Sequence, residues 1–151
     1  QPLSGPPAFE CAFILAEHSQ NAEFCTQSGP YEMDCRIHLL HQKLTQNPSQ
    51  DQTALIVSVG LDPSDRAPWT VIHRITLGQP PLDLKKCEDL PHPAQCIEAG
   101  QGLFHDQLRR MRDRNMLSCT PSEWPDRFRF APHPKLKAIL DTYLEDLSCS
   151  G

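Results

Sequence analysis

Cysteine is the residue type with the most potential chemistry in this chain. A thiol can form a disulfide, bind a metal ion or act as a nucleophile, depending on its neighbours and its compartment. The chain has no CxxC pair and neither an HxxxH nor an HExxH motif, so it lacks the close ligand pairs of zinc sites. We therefore expect disulfides, and neither a bound metal nor another cofactor. The seven cysteines are Cys11, Cys25, Cys35, Cys87, Cys96, Cys119 and Cys149.

The spacing of the cysteines leaves their pairing open, and an odd number leaves at least one unpaired in a monomer. Closure of local loops favours three pairs, one around a Gly-Pro turn, one around a proline-containing loop and one at the last predicted helix. Each unstrained disulfide would contribute about 2–4 kcal/mol to stability. The three pairs are Cys25–Cys35, Cys87–Cys96 and Cys119–Cys149.

Cys11 is the candidate for the free thiol, because it lies in the apolar stretch FECAFILA. A reactive cysteine needs a positive and partly exposed setting, so a buried core thiol is favoured over a nucleophile at this position.

Histidine offers no stronger case for catalysis. His38 and His41 would share a helix face, but two ligands do not make a metal site. His73 falls on the apolar side of a predicted strand, and two others, His92 and His133, stand beside prolines. The chain has no GxSxG motif and no glycine-rich phosphate loop, and no acid, base and oxyanion donor come together. We therefore expect a protein without catalytic activity.

The charge of the chain is uneven. Residues 105–137 carry eight basic and four acidic side chains, although the net charge of the whole chain is −5. A basic face on an acidic body can bind an acidic protein partner, while a merely solvated helix face is the alternative. Nucleic acid is not expected as a partner, because it requires a strongly basic domain. The candidate partner-binding residues are Arg109, Arg110, Arg112, Arg114, Arg127 and Arg129.

The cysteine content indicates an oxidising compartment, and we expect a secreted or periplasmic protein whose signal peptide has been cleaved. The only potential glycosylation sequon, at residues 47–49, is blocked by its proline, which mildly favours a periplasmic location. No apolar run approaches the roughly 18 residues that a membrane span needs.

The apolar pattern predicts an α+β fold, with an antiparallel sheet and about three helices, reinforced by disulfides. Residues 1–8 are expected to form an extended tail, and residues 9–151 a single globular domain. The stretch 9–16 is interpreted as a buried strand. The two runs 53–61 and 69–77 alternate and are rich in β-branched residues, which predicts a hairpin with a long loop.

The helices are predicted from apolar residues at helical spacing. They cover residues 36–44, 102–116 and 134–147, with a strand as the alternative for the first. In the second, residues 104, 108 and 111 point inward, which leaves the arginines on the solvent side. The alternating stretch 127–130 is interpreted as a further short strand.

Residues 70–112 contain a predicted strand that ends at Leu77-Gly78, the pair Cys87 and Cys96, a small apolar residue after Cys96, and a leucine-rich stretch. In these features the segment resembles the invasion-associated locus B family of bacterial periplasmic proteins. The resemblance implies a secreted β-sandwich without enzymatic activity, with a role at the cell envelope or in host-cell invasion.

The functional prediction is a secreted or periplasmic binding or accessory protein. Two alternatives remain open. One is a small secreted enzyme that uses a cysteine or a histidine, and the other is a cytosolic adaptor with reduced thiols.

Overall fold

The computed structural model describes residues 6–149, together with the side chains of residues 7–149. Helices account for 71% of the chain, and the part that is described contains no sheet, so the predicted α+β fold is wrong and the fold is all-helical. The β-sandwich implied by the family resemblance is not found either. The six α-helices are α1 (Pro6–Ser19), α2 (Glu32–Gln46), α3 (Gln52–Ser58), α4 (Arg66–Leu77), α5 (Pro93–Asp113) and α6 (Pro134–Glu145).

The chain divides into two compact units, residues 1–75 and 76–151. Each unit has its own cluster of buried apolar side chains. The prediction of one domain over residues 9–151 is left as a prediction. Of the expected tail, residues 1–5 lie outside the described part of the chain, and residues 6–8 begin helix α1 instead of being extended.

The predicted strand at residues 9–16 lies inside helix α1. Ala12 and Ala16 are buried, four residues apart, as the period of a helix requires. Leu15, which the alternating pattern placed inward, is 45% exposed. The prediction of a buried Cys11 is also wrong, since this side chain is only half-buried.

The first strand of the predicted hairpin is helix α3. Its buried residues are Leu55, Ile56 and, just after its end, Val59, whereas Val57 is 57% exposed. The helix is capped at both ends. The Asp51 carboxylate accepts a hydrogen bond from the Ala54 N–H at 3.1 Å, and a glycine in the left-handed region follows the last turn. Those caps supply hydrogen-bond partners that a strand at this position would have had to find elsewhere.

That glycine, Gly60, completes a Schellman motif. Its φ is +77°, its N–H donates to Val57 O at 2.9 Å, and the N–H of Leu61 donates to Ile56 O at 3.2 Å. The side chain of Leu61 is buried, which adds the apolar contact typical of the motif. Glycine fits here because it adopts a positive φ without a Cβ clash.

The second strand of the predicted hairpin is helix α4. Trp69, Ile72 and His73 are buried at spacings of three and four residues. The Trp69 indole N–H donates to Pro63 O at 2.6 Å, which ties the helix to the turn before it. His73 stacks on Trp69, with 6.0 Å between the ring centroids, so it belongs to the core.

The three predicted helices are confirmed, with different bounds. The first becomes α2, which begins four residues earlier, and the second becomes α5, which begins at Pro93 and ends at Asp113. The third becomes α6, which begins at Pro134 as predicted and ends at Glu145. A proline near the start suits both α5 and α6, since the first turn of a helix needs no backbone N–H donor.

The predicted strand at 127–130 is instead a 3-10 turn, Asp126–Phe128, followed by an isolated parallel bridge between Phe130 and Leu82. The bridge consists of two hydrogen bonds, from the Leu82 N–H to Arg129 O at 3.0 Å and from the Ala131 N–H to Leu82 O at 2.8 Å. A single bridge without a further strand does not make a sheet. The strand predicted from the alternation of Arg and Phe is therefore wrong.

Candidate functional site

Three disulfides hold the chain at the positions where its elements join. Cys25–Cys35 and Cys87–Cys96 are both buried and close short segments, and Cys119–Cys149 links the segment after α5 to the end of α6. These are the same pairs that local loop closure favoured, and Cys11 is the cysteine left over. In the second unit the buried pair fixes a 3-10 segment, Leu84–Asp89, against the first turn of α5.

Helix α5 carries three of the six candidate arginines, and a fourth follows its last residue. Phe104, Leu108 and Met111 are buried at spacings of four and three residues, so they define the face that packs on the second core. The side chains of these four arginines are exposed to solvent. They are Arg109, Arg110, Arg112 and Arg114.

Arg110 is the arginine of α5 that shares a cavity with the two candidate arginines outside the helix, Arg127 and Arg129. Together with Arg127 and Arg129 it lines a cavity of about 290 Å³ in the second unit. The cavity forms because Gln107, one turn before Arg110, donates a hydrogen bond from Nε2 to Phe128 O and so holds the 126–130 segment against α5. The bridge to Leu82 fastens the other side of this segment.

The other lining residues of this cavity, which we call the arginine cavity, are mostly apolar and carry no carboxylate. They are leucines, a phenylalanine and a Gly-x-Pro stretch, and we call this apolar part of the lining the floor. These residues are Leu77, Gly78, Pro80, Leu82, Leu103 and Phe128. The arrangement places three positive charges around an apolar surface.

Each arginine of the cavity has a contact that orients it without removing its charge from the surface. The Nε–H of Arg110 donates to the backbone oxygen of Asp106 at 3.3 Å, and the Arg127 guanidinium lies 4.6 Å above the Phe128 ring. Arg129 Nε lies 3.2 Å from an oxygen of Asp126, whose side chain is 90% exposed. An exposed ion pair of this kind contributes about 0–1 kcal/mol, so a ligand carboxylate can compete with it.

The remaining three arginines lie elsewhere on α5 and at its end. Arg109 forms an ion pair with Asp106 at 3.0 Å, and Arg112 lies 3.6 Å from Asp113 and 5.5 Å from the centre of the Tyr143 ring. Arg114 follows the last turn, and its backbone N–H closes the helix. Of the six candidate arginines predicted from the sequence, the structure brings three to one cavity.

A second cavity in the same unit is larger and almost entirely apolar, with a volume of about 540 Å³. Three prolines, Phe130 and Leu140 line it, with His133 and Lys137 at its edge. Lys137 Nζ donates to Asp141 Oδ2 at 2.9 Å, and this hydrogen bond raises the pKa of Lys137. The positive charge at this edge is thus already paired within the protein.

Two of the histidines considered in the sequence, His38 and His133, have local partners. His133 Nδ1 accepts the Lys135 N–H at 3.0 Å and so caps α6, while His38 Nε2 lies 3.6 Å from Glu17 Oε1. His92 precedes α5 in a left-handed conformation, and His41 is exposed on α2. Within residues 6–149, no group of three or more His, Cys, Asp or Glu side chains is placed to hold a metal ion.

Sequence reasoning missed the apolar half of the arginine cavity. Gln107 and Leu103 precede Arg110 by three and seven residues on the same helix, and helical spacing alone would have placed them near it. Helical spacing could not place residues 77–82 near Arg110, because the prediction ended a strand there. Their proximity depends on the bridge between Leu82 and Phe130.

The comparisons with known proteins give no family. No protein-family model matches the chain, and neither a curated protein nor a solved structure matches it. They therefore give no support to the resemblance of residues 70–112 to the invasion-associated locus B family. The feature Leu77-Gly78, on which that resemblance partly rests, ends a helix and not a strand.

No helix among the described residues is long and apolar enough to cross a membrane. The three disulfides are consistent with an extracellular location.

Proposed function

We propose that this chain is a secreted or periplasmic binding protein without catalytic activity, and that it binds an acidic protein through the arginine cavity. The observation that supports the proposal most directly is the convergence of Arg110, Arg127 and Arg129 on a cavity whose lining contains no carboxylate. Guanidinium groups bind carboxylates through two parallel hydrogen bonds, so three of them around one cavity favour an acidic partner over a neutral one.

The test compares two triple variants with the same loss of charge. One replaces the cavity arginines, Arg110→Ser, Arg127→Ser and Arg129→Ser, and the other replaces Arg109, Arg112 and Arg114 by Ser. Acidic proteins captured from the native environment by the wild type should be lost with the first variant and largely retained with the second. Their capture should also weaken with salt, because exposed charges are screened.

Two other outcomes have a clear meaning. Equal loss with both variants would assign binding to the general charge of the basic face and not to the cavity. Equal retention with both would make the arginines a solubility surface, and the proposed site would be wrong.

The compartment is tested separately by mass spectrometry of the unreduced protein. Three disulfides and one free thiol are expected if the protein matures in an oxidising compartment. Seven free thiols in the protein from its native source would favour the cytosolic adaptor.

A further inference from the structure

The arginine cavity combines two kinds of surface that a simple anion site does not need. Its lining includes the guanidinium groups of Arg110, Arg127 and Arg129, which we call the rim, and the apolar floor, with Leu103 and Phe128 among its residues. A phosphate or a sulfate would contact the rim and make no use of the floor. A ligand that fits both surfaces carries a negative charge beside an apolar group.

The size of the cavity limits that ligand to a short segment. Its volume of about 290 Å³ lies at the lower end of the range for ligand pockets, which begins near 300 Å³. A folded domain cannot enter such a space, but one large apolar side chain with an adjacent carboxylate can. The larger apolar cavity beside Pro121 and Phe130 is a poorer site for an acidic ligand, since one lysine lines it in place of three arginines.

The contacts of the arginines favour a carboxylate over a phosphodiester backbone. The Arg127 guanidinium lies 4.6 Å from the centre of the Phe128 ring, and the backbone oxygen of Asp106 accepts the Nε–H of Arg110, so both side chains have a contact that orients them. Nucleic acid binding would require a field of basic side chains along a backbone, whereas the chain as a whole has a net charge of −5. Two-point recognition by guanidinium forks is suited to a planar carboxylate.

Resting on the proposed function, we infer that the arginine cavity recognises an acidic peptide segment in which an Asp or Glu side chain stands next to a large apolar residue such as Leu. The carboxylate binds at the guanidinium rim, and the apolar side chain lies on the floor between Leu103 and Phe128. The partner is then an acidic protein that exposes such a segment in an extended or loop conformation.

The experiment uses the full chain with its disulfides intact and three labelled peptides with blocked ends. The first has the sequence Ser-Gly-Asp-Leu-Glu-Leu-Asp-Gly-Ser, the second has Ser in place of Leu, and the third has Asn and Gln in place of the acidic residues. Fluorescence anisotropy gives their dissociation constants at low and at moderate salt. Blocked ends remove the terminal carboxylate, so that only side-chain carboxylates are tested.

The first peptide should bind at least about tenfold more tightly than either of the others, since burial of one Leu side chain and one charged contact each change affinity by that order. Arg110→Gln should weaken it by about tenfold, while Arg114→Gln, an arginine on the same helix end that does not line the cavity, should change it less than twofold. Leu103→Ser should remove the preference for Leu over Ser and keep the salt dependence. Circular dichroism melts confirm that each variant is folded.

Equal affinity for the Leu and Ser peptides, with loss upon Arg110→Gln, would overturn the inference but leave the proposed function standing. Displacement of the first peptide by an oligonucleotide of equal charge at equal concentration would also overturn it, in favour of phosphate recognition. Absence of binding by all three peptides up to about 1 mM, a limit of weak affinity, would overturn it as well. In that last case the pull-down with the triple variants decides the proposed function independently.

Discussion

Arginine has different roles in the two units. In the first unit, Arg36 is held on all sides, because its guanidinium donates to Glu32, to Thr26 and to Val59 O at distances between 2.9 and 3.3 Å. Its side chain is only 15% exposed. In the second unit, the three arginines of the cavity are exposed, and each has one or two orienting contacts, since Arg129 Nε–H also donates to Trp124 O at 3.4 Å. The number of fixed protein partners, and not the charge itself, separates an arginine that stabilises the fold from one that is available to a ligand.

The largest expected effect comes from Gly60→Ala. A Cβ at this position would overlap Arg36 Nη1, and the φ of +77° is unfavourable for any residue with a Cβ. The substitution should displace the guanidinium from Val59 O and destabilise the protein by about 2–4 kcal/mol, from backbone strain and the lost charged hydrogen bond. Urea denaturation measures this change. A loss below about 0.5 kcal/mol, the size of an ordinary surface change, would show that Arg36 is not fixed there.

The direct comparison is between Arg36→Gln and Arg110→Gln. The first substitution leaves Val59 O and Glu32 without their charged partner and should cost about 1–3 kcal/mol. The second removes an exposed side chain and should change stability by less than about 0.5 kcal/mol. Thermal melts of the two variants check this difference. Equal destabilisation would mean that the cavity arginine is structural, and the distinction between the units would fail.

A pair of glycines two residues apart on α5 sharpens the comparison for the floor of the cavity. A Cβ at Gly100 would overlap Leu84 Cδ2 and come within 3.1 Å of Leu77 Cδ1, whereas a Cβ at Gly102 would meet nothing within 4 Å. Gly100→Ala should therefore destabilise the protein by about 1–2 kcal/mol, since crowding outweighs the gain in helix propensity. It should also weaken ligand binding, because Leu77 lines the arginine cavity.

Gly102→Ala is the matched control, and it should stabilise the protein by about 0.5–1 kcal/mol through helix propensity alone. Denaturant titrations of both variants give the two signs. Stabilisation by Gly100→Ala would mean that Leu84 and Leu77 move aside easily and that the floor is not closely packed.

The smallest effect concerns Asp62, which lines the same cleft of the first unit as Arg36. Two hydrogen bonds from Ser64 lower the pKa of the Asp62 carboxyl below its ordinary value of 3.8. The backbone N–H of Ser64 has the larger effect and its hydroxyl the smaller one. A lowered pKa in the folded state stabilises the protein above the unfolded pKa, and this contribution is lost as the pH falls through the folded value.

The stability difference between the wild type and Asp62→Ala should therefore be constant near neutral pH and narrow below pH 3.8. Melting temperatures measured over a pH series report it, and a difference that grows on acidification would contradict the assigned cause.

The sequence predicts the helices with clear polar and apolar faces, because period 3.6 is distinctive over several turns. It does not predict that the short apolar runs of α3 and α4 are helical, and these runs were interpreted as a hairpin. Their β-branched residues favoured a strand, yet the capping signals for a helix were present in Asp51, three residues before Ala54, and in Gly60 after Val59. Seven residues of α3 contain too few turns for periodicity to outweigh composition.

The candidate site was only partly predictable, because helical spacing places some of its residues and contacts between distant parts of the chain place the others. Arg110 follows from its position on a helix, since helical geometry fixes which residues face solvent. Its proximity to Arg127 and Arg129 depends on the hydrogen bond from Gln107 to Phe128 O and on the bridge to Leu82, which are contacts between distant parts of the chain. Local sequence carries no signal for such contacts.

The bridge between Leu82 and Phe130 has a consequence for how the site opens. Two backbone hydrogen bonds, from Leu82 to Arg129 O and from Ala131 to Leu82 O, hold the 126–131 segment at this edge, without the cooperative support of neighbouring strands. Local opening of so short a contact requires less free energy than global unfolding, so these two amide protons should exchange with solvent before those of α5. Each such opening separates Leu82 from the 126–131 segment, which Gln107 still holds against α5, so the cavity widens on one side while the helices persist. A ligand bound in the cavity would contact both sides of this opening and slow exchange at Leu82 and Ala131.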